Sequence, residues 1–257
     1  MDDSLDKASA TAILEALGYS VATVPTGHQE SPDLRATKDS ESLLIEVKRK
    51  HDDTTEIEKR EQAYCTDDVY VYSMPLGRQS TISRQAEKAC RQLKNVASLG
   101  DYCLIWFVSS GMHIGAQCHR IRATLYGIQY VIDRIRGAPM AVECFYFQNS
   151  DFYNGRDVLS GAILQDDDGV SLLVNDLHER AREFRGSHLY GSFRKWKAVC
   201  DPIDFESQGL VYVVDGPVDR RNSAKVLGYL SRKYGLKDPM AEMPSEHGAE
   251  VRFPDWP

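Results

Sequence analysis

The chain has 257 residues, enough for one large domain or a core with a second lobe, and its 42% hydrophobic content is that of a globular protein. A net charge of −7 argues against a non-specific, histone-like coat on DNA and leaves local basic patches to decide any contact with phosphate. Met1-Asp2-Asp3-Ser4 carries no apolar run, so no secretory leader is expected, and the longest apolar stretch, Cys103–Val108, is far too short to span a bilayer.

Lys7–Leu17 reads as an amphipathic helix, with Ala8, Ala12, Ile13, Ala16 and Leu17 on one face and Gly18 as its stop. Tyr19–Val24 reads as a strand ended by Pro25, residues 26–31 as a loop, and Asp33–Thr37 as a short strand. After the polar turn Lys38-Asp39-Ser40-Glu41, Ser42–Arg49 is a strand whose consecutive apolar residues 43–45 predict burial on both faces, hence a central position. Residues 50–82 are less regular: Asp52–Arg60 is highly charged, Val69–Tyr72 alternates like a strand, and Pro75-Leu76-Gly77 is a turn.

Ser83 opens the clearest helix, striped by Ala86, Ala89, Cys90, Leu93, Val96 and Ala97 and ended by Gly100. Tyr102–Val108 is a strongly apolar strand, Gln117–Tyr126 a helix that could continue to Ile135 past Gly127, and Val142–Phe147 another strand. Beyond Ser150 the pattern weakens. Ile163–Gln165 and Val170–Val174 form a hairpin around Asp166-Asp167-Asp168-Gly169, Asp176–Phe184 and Ser223–Tyr234 are helices, the second ended by Gly235, and Leu210–Val214 is a strand. The proline-bearing tail Pro239–Pro257 is expected to lie extended on the surface.

This order predicts an α/β fold, a mixed sheet flanked by helices. Residues 1–150 are read as the core and 151–257 as an α+β extension for substrate selection or assembly. The six cysteines contain no C-x-x-C pair and read as reduced, mostly buried thiols of a cytoplasmic protein with no membrane partner.

The chemistry concentrates in Ser31-Pro32-Asp33-Leu34 and Leu43-Leu44-Ile45-Glu46-Val47-Lys48. A turn centred near Ser40 places Asp33 opposite Val47, beside Glu46 and Lys48, and these two share a strand face. Two carboxylates and the Val47 carbonyl are hard oxygen ligands suited to Mg2+ or Mn2+, and Lys48 can orient a water or stabilise developing negative charge.

Pro32-Asp33 and Glu46-Val47-Lys48, with the element order from Lys7 to Val108, resemble the PD-(D/E)XK nuclease superfamily, the restriction-endonuclease-like fold. The resemblance implies a magnesium- or manganese-dependent DNA endonuclease, a hydrolase of phosphodiesters, with Asp33, Glu46 and the Val47 carbonyl as metal ligands and Asp33, Glu46 and Lys48 as the catalytic triad. It also implies a polar residue from the following helix, for which Gln85 is the best match, near Lys88 and Gln92. Homodimers are common in that family, and roles in restriction, anti-phage defence or repair all fit. Where many members carry a glutamate early in the first helix, this chain has Asp6 and Lys7, with Glu15 late in the helix.

Basic clusters at Lys48-Arg49-Lys50, Arg84/Lys88/Arg91/Lys94, Arg120/Arg122 and Arg194/Lys195/Lys197 are either solvated faces or phosphate contacts, with Lys50, Arg84 and Lys88 the candidates nearest the motif. Asp166–Gly169 lacks the later ligands of a calcium loop, and His113, Cys118 and His119 match no common zinc spacing. Phe145, Tyr146, Phe147, Phe152 and Tyr153 suit a core better than base stacking. The alternatives are an RNA nuclease and a non-catalytic DNA- or protein-binding scaffold of the same fold.

Overall fold

The computed structural model describes residues 3–25, 30–51, 54–66, 68–134, 141–242 and 246–252. Helix α1 (Asp3–Ala16) buries Ala10 and Leu14. Strands β1 (Ser20–Thr23), β2 (Leu34–Lys38) and β3 (Glu41–Lys50) follow as an antiparallel meander. The stretch read as irregular holds α2 (Thr54–Cys65) and β4 (Val69–Pro75). Helix α2 escapes hydrophobic patterning because Ala63 is the one described residue it buries. Its neighbours Asp52 and Asp53 lie outside the described residues.

Helix α3 (Ser80–Val96) begins three residues earlier than its apolar stripe suggests and buries Ile82, Ala86, Ala89 and Leu93 at helical spacing. Strand β5 (Asp101–Ser109) is buried along its whole length. Helix α4 (Ile114–Tyr126) stops at Gly127, whose φ of +61° is left-handed and whose Cβ, were there one, would lie 2.4 Å from the Gln148 carbonyl oxygen. The helical continuation past Gly127 therefore does not form. Gln129–Asp133 is strand β6, paired antiparallel with β7 (Val142–Phe145), while Ile135 lies outside the described residues.

Helix α5 (Asp151–Asn154) leads into β8 (Leu159–Gln165) and β9 (Val170–Val174), the hairpin read from the sequence. The helix expected from Asp176 shrinks to α6 (Ala181–Phe184), because Asn175 Oδ1 accepts the Leu177 N–H (3.2 Å) and fixes a turn there. Helix α7 (His188–Lys195), β10 (Val199–Cys200), α8 (Pro202–Ser207), β11 (Val211–Val213) and α9 (Ser223–Tyr234) follow. The tail is not simply an extended surface segment: β12 (Pro239–Glu242) pairs with β6 and β13 (Glu246–Arg252) pairs with β4, both antiparallel.

The fold is α/β, built on a seven-stranded mixed sheet of order β1-β2-β3-β5-β8-β9-β10. Strand β5 is parallel to both neighbours, β3 and β8. The boundary expected at residue 150 falls between β7 and α5, and the large sheet runs on beyond it through β8, β9 and β10. A second sheet, β11-β7-β6-β12, stands beside it.

Alternation along β3 sorts the layers. Leu43, Ile45 and Val47 pack with α1 and α7, whereas Leu44 faces α3, α4 and the second sheet. Phe145, Tyr146, Phe147 and Phe152 all belong to that second core. At the start of β3, Glu41 accepts the Tyr19 hydroxyl (2.6 Å) and the His188 N–H at the head of α7 (2.6 Å), tying three distant segments together. All six cysteines are free thiols, with Cys103, Cys144 and Cys200 buried. No helix among the described residues is long and apolar enough to cross a membrane.

Candidate active site

Asp33 sits just before β2, after the buried Pro32. The turn is the pair Asp39-Ser40, with Asp39 at φ +50°, so Lys38 pairs with Glu41 and Leu34 with Ile45. This two-residue loop corrects the sequence-based register by one position: Asp33 falls at the level of Glu46 rather than Val47. The Asp33 N–H donates to the Ile45 carbonyl (3.0 Å), and its Oδ2 accepts the Val47 N–H (2.8 Å). The ladder thus ends with an aspartate side chain in place of a backbone acceptor.

Glu46 occupies the middle of a strand hydrogen-bonded on both sides and is 1% exposed. Its Oε1 accepts from Lys48 Nζ, while Oε2 is buried without a hydrogen-bond partner among the described residues. Burial pushes the carboxyl from its ordinary 4.5 up to about 7; Lys48 opposes that rise, and the charge of the adjacent Asp33 carboxylate adds to it. Central strands seldom hold such a group, because desolvating a carboxylate is costly unless it is paired.

Asp33, Glu46, Val47 and Lys48 thus meet at one end of the β2–β3 hairpin. Gln85 approaches from α3, where its Nε2 donates to the Arg49 carbonyl (3.3 Å) and its Oε1 is buried without a partner among the described residues. Gln92, grouped with Gln85 and Lys88 in the sequence reading, is buried and donates to the Ser31 carbonyl (3.1 Å). Arg84 and Lys88 are exposed on α3, Lys88 paired with Glu30 (3.2 Å), and half-buried Lys50 closes β3.

Helix α1 adds two groups the motif did not assign. Asp6, buried, grips Arg49 through both carboxylate oxygens, and Lys7 Nζ lies 2.6 Å from Asp33 Oδ1. Their position early in the first helix was the only signal for either. Their register against β2 and β3 needs the tertiary fold.

Two adjacent carboxylates, one with a buried oxygen unpaired among the described residues, fit a small hard cation. No cluster of three or more His, Cys, Asp or Glu side chains suited to a metal occurs among the described residues, so His113, Cys118 and His119 form no such group. A cation here would rest on Asp33, Glu46, backbone oxygen and water. Neither the protein-family models nor the curated proteins compared with this sequence give a match.

Proposed function

We propose that the chain is a metal-dependent nuclease of the PD-(D/E)XK, restriction-endonuclease-like type, hydrolysing phosphodiester bonds of DNA with Mg2+ or Mn2+. The observation that carries this reading is the convergence of Asp33, Glu46 and Lys48, with Glu46 Oε2 buried and unpaired among the described residues. Asp33, Glu46 and the Val47 carbonyl would hold the cation, which when bound supplies neutralisation of phosphate charge and a more acidic water. Lys48 donates to the attacking water or to the phosphate oxygen that gains charge. Gln85 steadies the end of β3 through the Arg49 carbonyl. Arg84, Lys88 and Arg91 follow one exposed face of α3, with Lys50 at the strand end, and would supply positive charge to a phosphate backbone.

A role in restriction, anti-phage defence or repair, a cytoplasmic location and a homodimer with two cutting sites belong to the same proposal. The net charge of −7 favours a second reading, a non-catalytic scaffold of this fold.

The test is cleavage of supercoiled plasmid with Mg2+, Mn2+ or EDTA, comparing wild type with Asp33→Ala and Lys48→Ala, and with RNA as a parallel substrate. Metal-dependent cutting lost in both variants is the expected result. Cutting that survives both refutes the site. No cutting of either nucleic acid, together with no metal binding, favours the scaffold.

A further inference from the structure

The two carboxylates of the site are not equivalent. Among the described residues, Glu46 keeps one oxygen, Oε2, without a hydrogen-bond partner. Asp33 keeps none: Oδ2 takes the Val47 N–H at 2.8 Å, and Oδ1 takes Lys7 Nζ at 2.6 Å. A cation drawn to Glu46 Oε2 therefore finds the neighbouring ligand already holding a positive charge.

We propose that Lys7 is a built-in competitor for the divalent cation, its ammonium group holding Asp33 Oδ1 until the metal displaces it. This inference rests on the metal-dependent reading above.

The two neighbours on α1 are suited to different tasks. Asp6, 3% exposed, is locked to Arg49 by a fork of two hydrogen bonds and pins the helix to β3. The Lys7 side chain is 36% exposed, and its four-carbon stem can swing its ammonium into water without moving the helix. Asp33 is far less accessible, at 15%, so its carboxylate stays where the Val47 N–H holds it. The arrangement has two states: Lys7 on Asp33 with the site neutralised, or metal on Asp33 with Lys7 released.

Without metal, Lys7 and Lys48 balance the two acids and keep the site folded. With metal, an ammonium within a few ångströms of a dication is repelled, and solvent screening at a one-third exposed group brings the effect on affinity down to about tenfold. Lys7 would thus set the cation concentration at which the site fills.

The experiment is calorimetric titration of Mn2+ into wild type, Lys7→Gln, Lys7→Arg and Asp33→Asn. Lys225→Gln on α9 serves as a control that removes the same charge elsewhere. Circular dichroism checks folding, and Lys7→Met replaces Lys7→Gln if the latter does not fold.

The expected result is about tenfold tighter Mn2+ binding by Lys7→Gln, wild-type affinity in Lys7→Arg and Lys225→Gln, and loss of binding in Asp33→Asn. In thermal melts, Lys7→Gln should fall below wild type in EDTA and rise above it in saturating Mn2+. Binding by Lys7→Gln alone also supports the competitor role. If wild type binds Mn2+ through Asp33 and Lys7→Gln binds no tighter, the competitor role is overturned while the metal site stands. Equal tightening by Lys7→Gln and Lys225→Gln reduces the effect to bulk charge and overturns it as well. Absence of binding by every variant overturns the competitor and the metal-dependent reading together.

Discussion

Replacing Glu46 by glutamine removes the most costly group in β3 while keeping its shape. Burial raises this carboxyl from 4.5 to about 7, so between those values the folded chain holds a proton that the unfolded chain has released. The stability owed to the neutral carboxyl is complete below pH 4.5 and is lost as pH rises through 7. By pH 8 the ionised group costs the metal-free fold about 3 kcal/mol. Glutamine avoids that cost but leaves Lys48, 18% exposed, without its carboxylate, so a net gain of about 2 kcal/mol follows.

For a chain of this size that is a rise of about 4–8 °C in Tm at pH 8 in EDTA, shrinking to nothing at pH 4. Saturating Mg2+ should reverse the order at pH 8, because wild type gains a ligand that the glutamine variant binds poorly. Scanning calorimetry at both pH values, with and without Mg2+, reads all of this. A Glu46→Gln protein that is less stable than wild type at pH 8 in EDTA, or displaced equally at pH 4 and pH 8, would refute the assignment of Glu46 as a strained, desolvated acid.

Asp6→Asn takes from Arg49 the buried carboxylate it grips and should cost about 3 kcal/mol in urea unfolding, part of which Arg49→Met restores in the double variant. Asn175 is fully buried and donates to the Phe152 (3.1 Å) and Leu159 (2.8 Å) carbonyls; Asn175→Ala should lower stability by about 2 kcal/mol, read from the urea midpoint. Gly127→Ala combines a left-handed φ with a Cβ 2.4 Å from the Gln148 carbonyl and should cost about 3 kcal/mol or more, seen as a lowered Tm.

The sequence carried much of this molecule where local rules act alone. Helix α9 runs over Ser223–Tyr234 as its periodicity and Gly235 predict, and the hairpin β8–β9 turns at Asp166–Gly169. Long-range packing decided the rest. The residues after Gly127 have no distinct period, and pairing with β7 makes them a strand. Helix α2 has too few apolar residues to announce itself, and β13 acquires its identity from β4, far away in the chain. At the site, Asp33, Glu46 and Lys48 were legible because strand alternation and a short turn bring them together. Their exact register was not, since a two-residue loop and a three-residue loop differ by half a pleat. Lys7 was invisible as a partner of Asp33, because no sequence spacing links α1 to the start of β2.

Strand β5 has nine residues, all buried, and takes hydrogen bonds from β3 on one side and β8 on the other. Its second partner is synthesised some fifty residues after it. During translation one edge of Tyr102-Cys103-Leu104-Ile105-Trp106-Phe107-Val108 therefore waits open, apolar on both faces, as a template for any other chain. A fragment ending at residue 150 would keep the whole candidate site and yet carry that edge permanently exposed. It should collect in the insoluble fraction, while a chain extended through β10 should not.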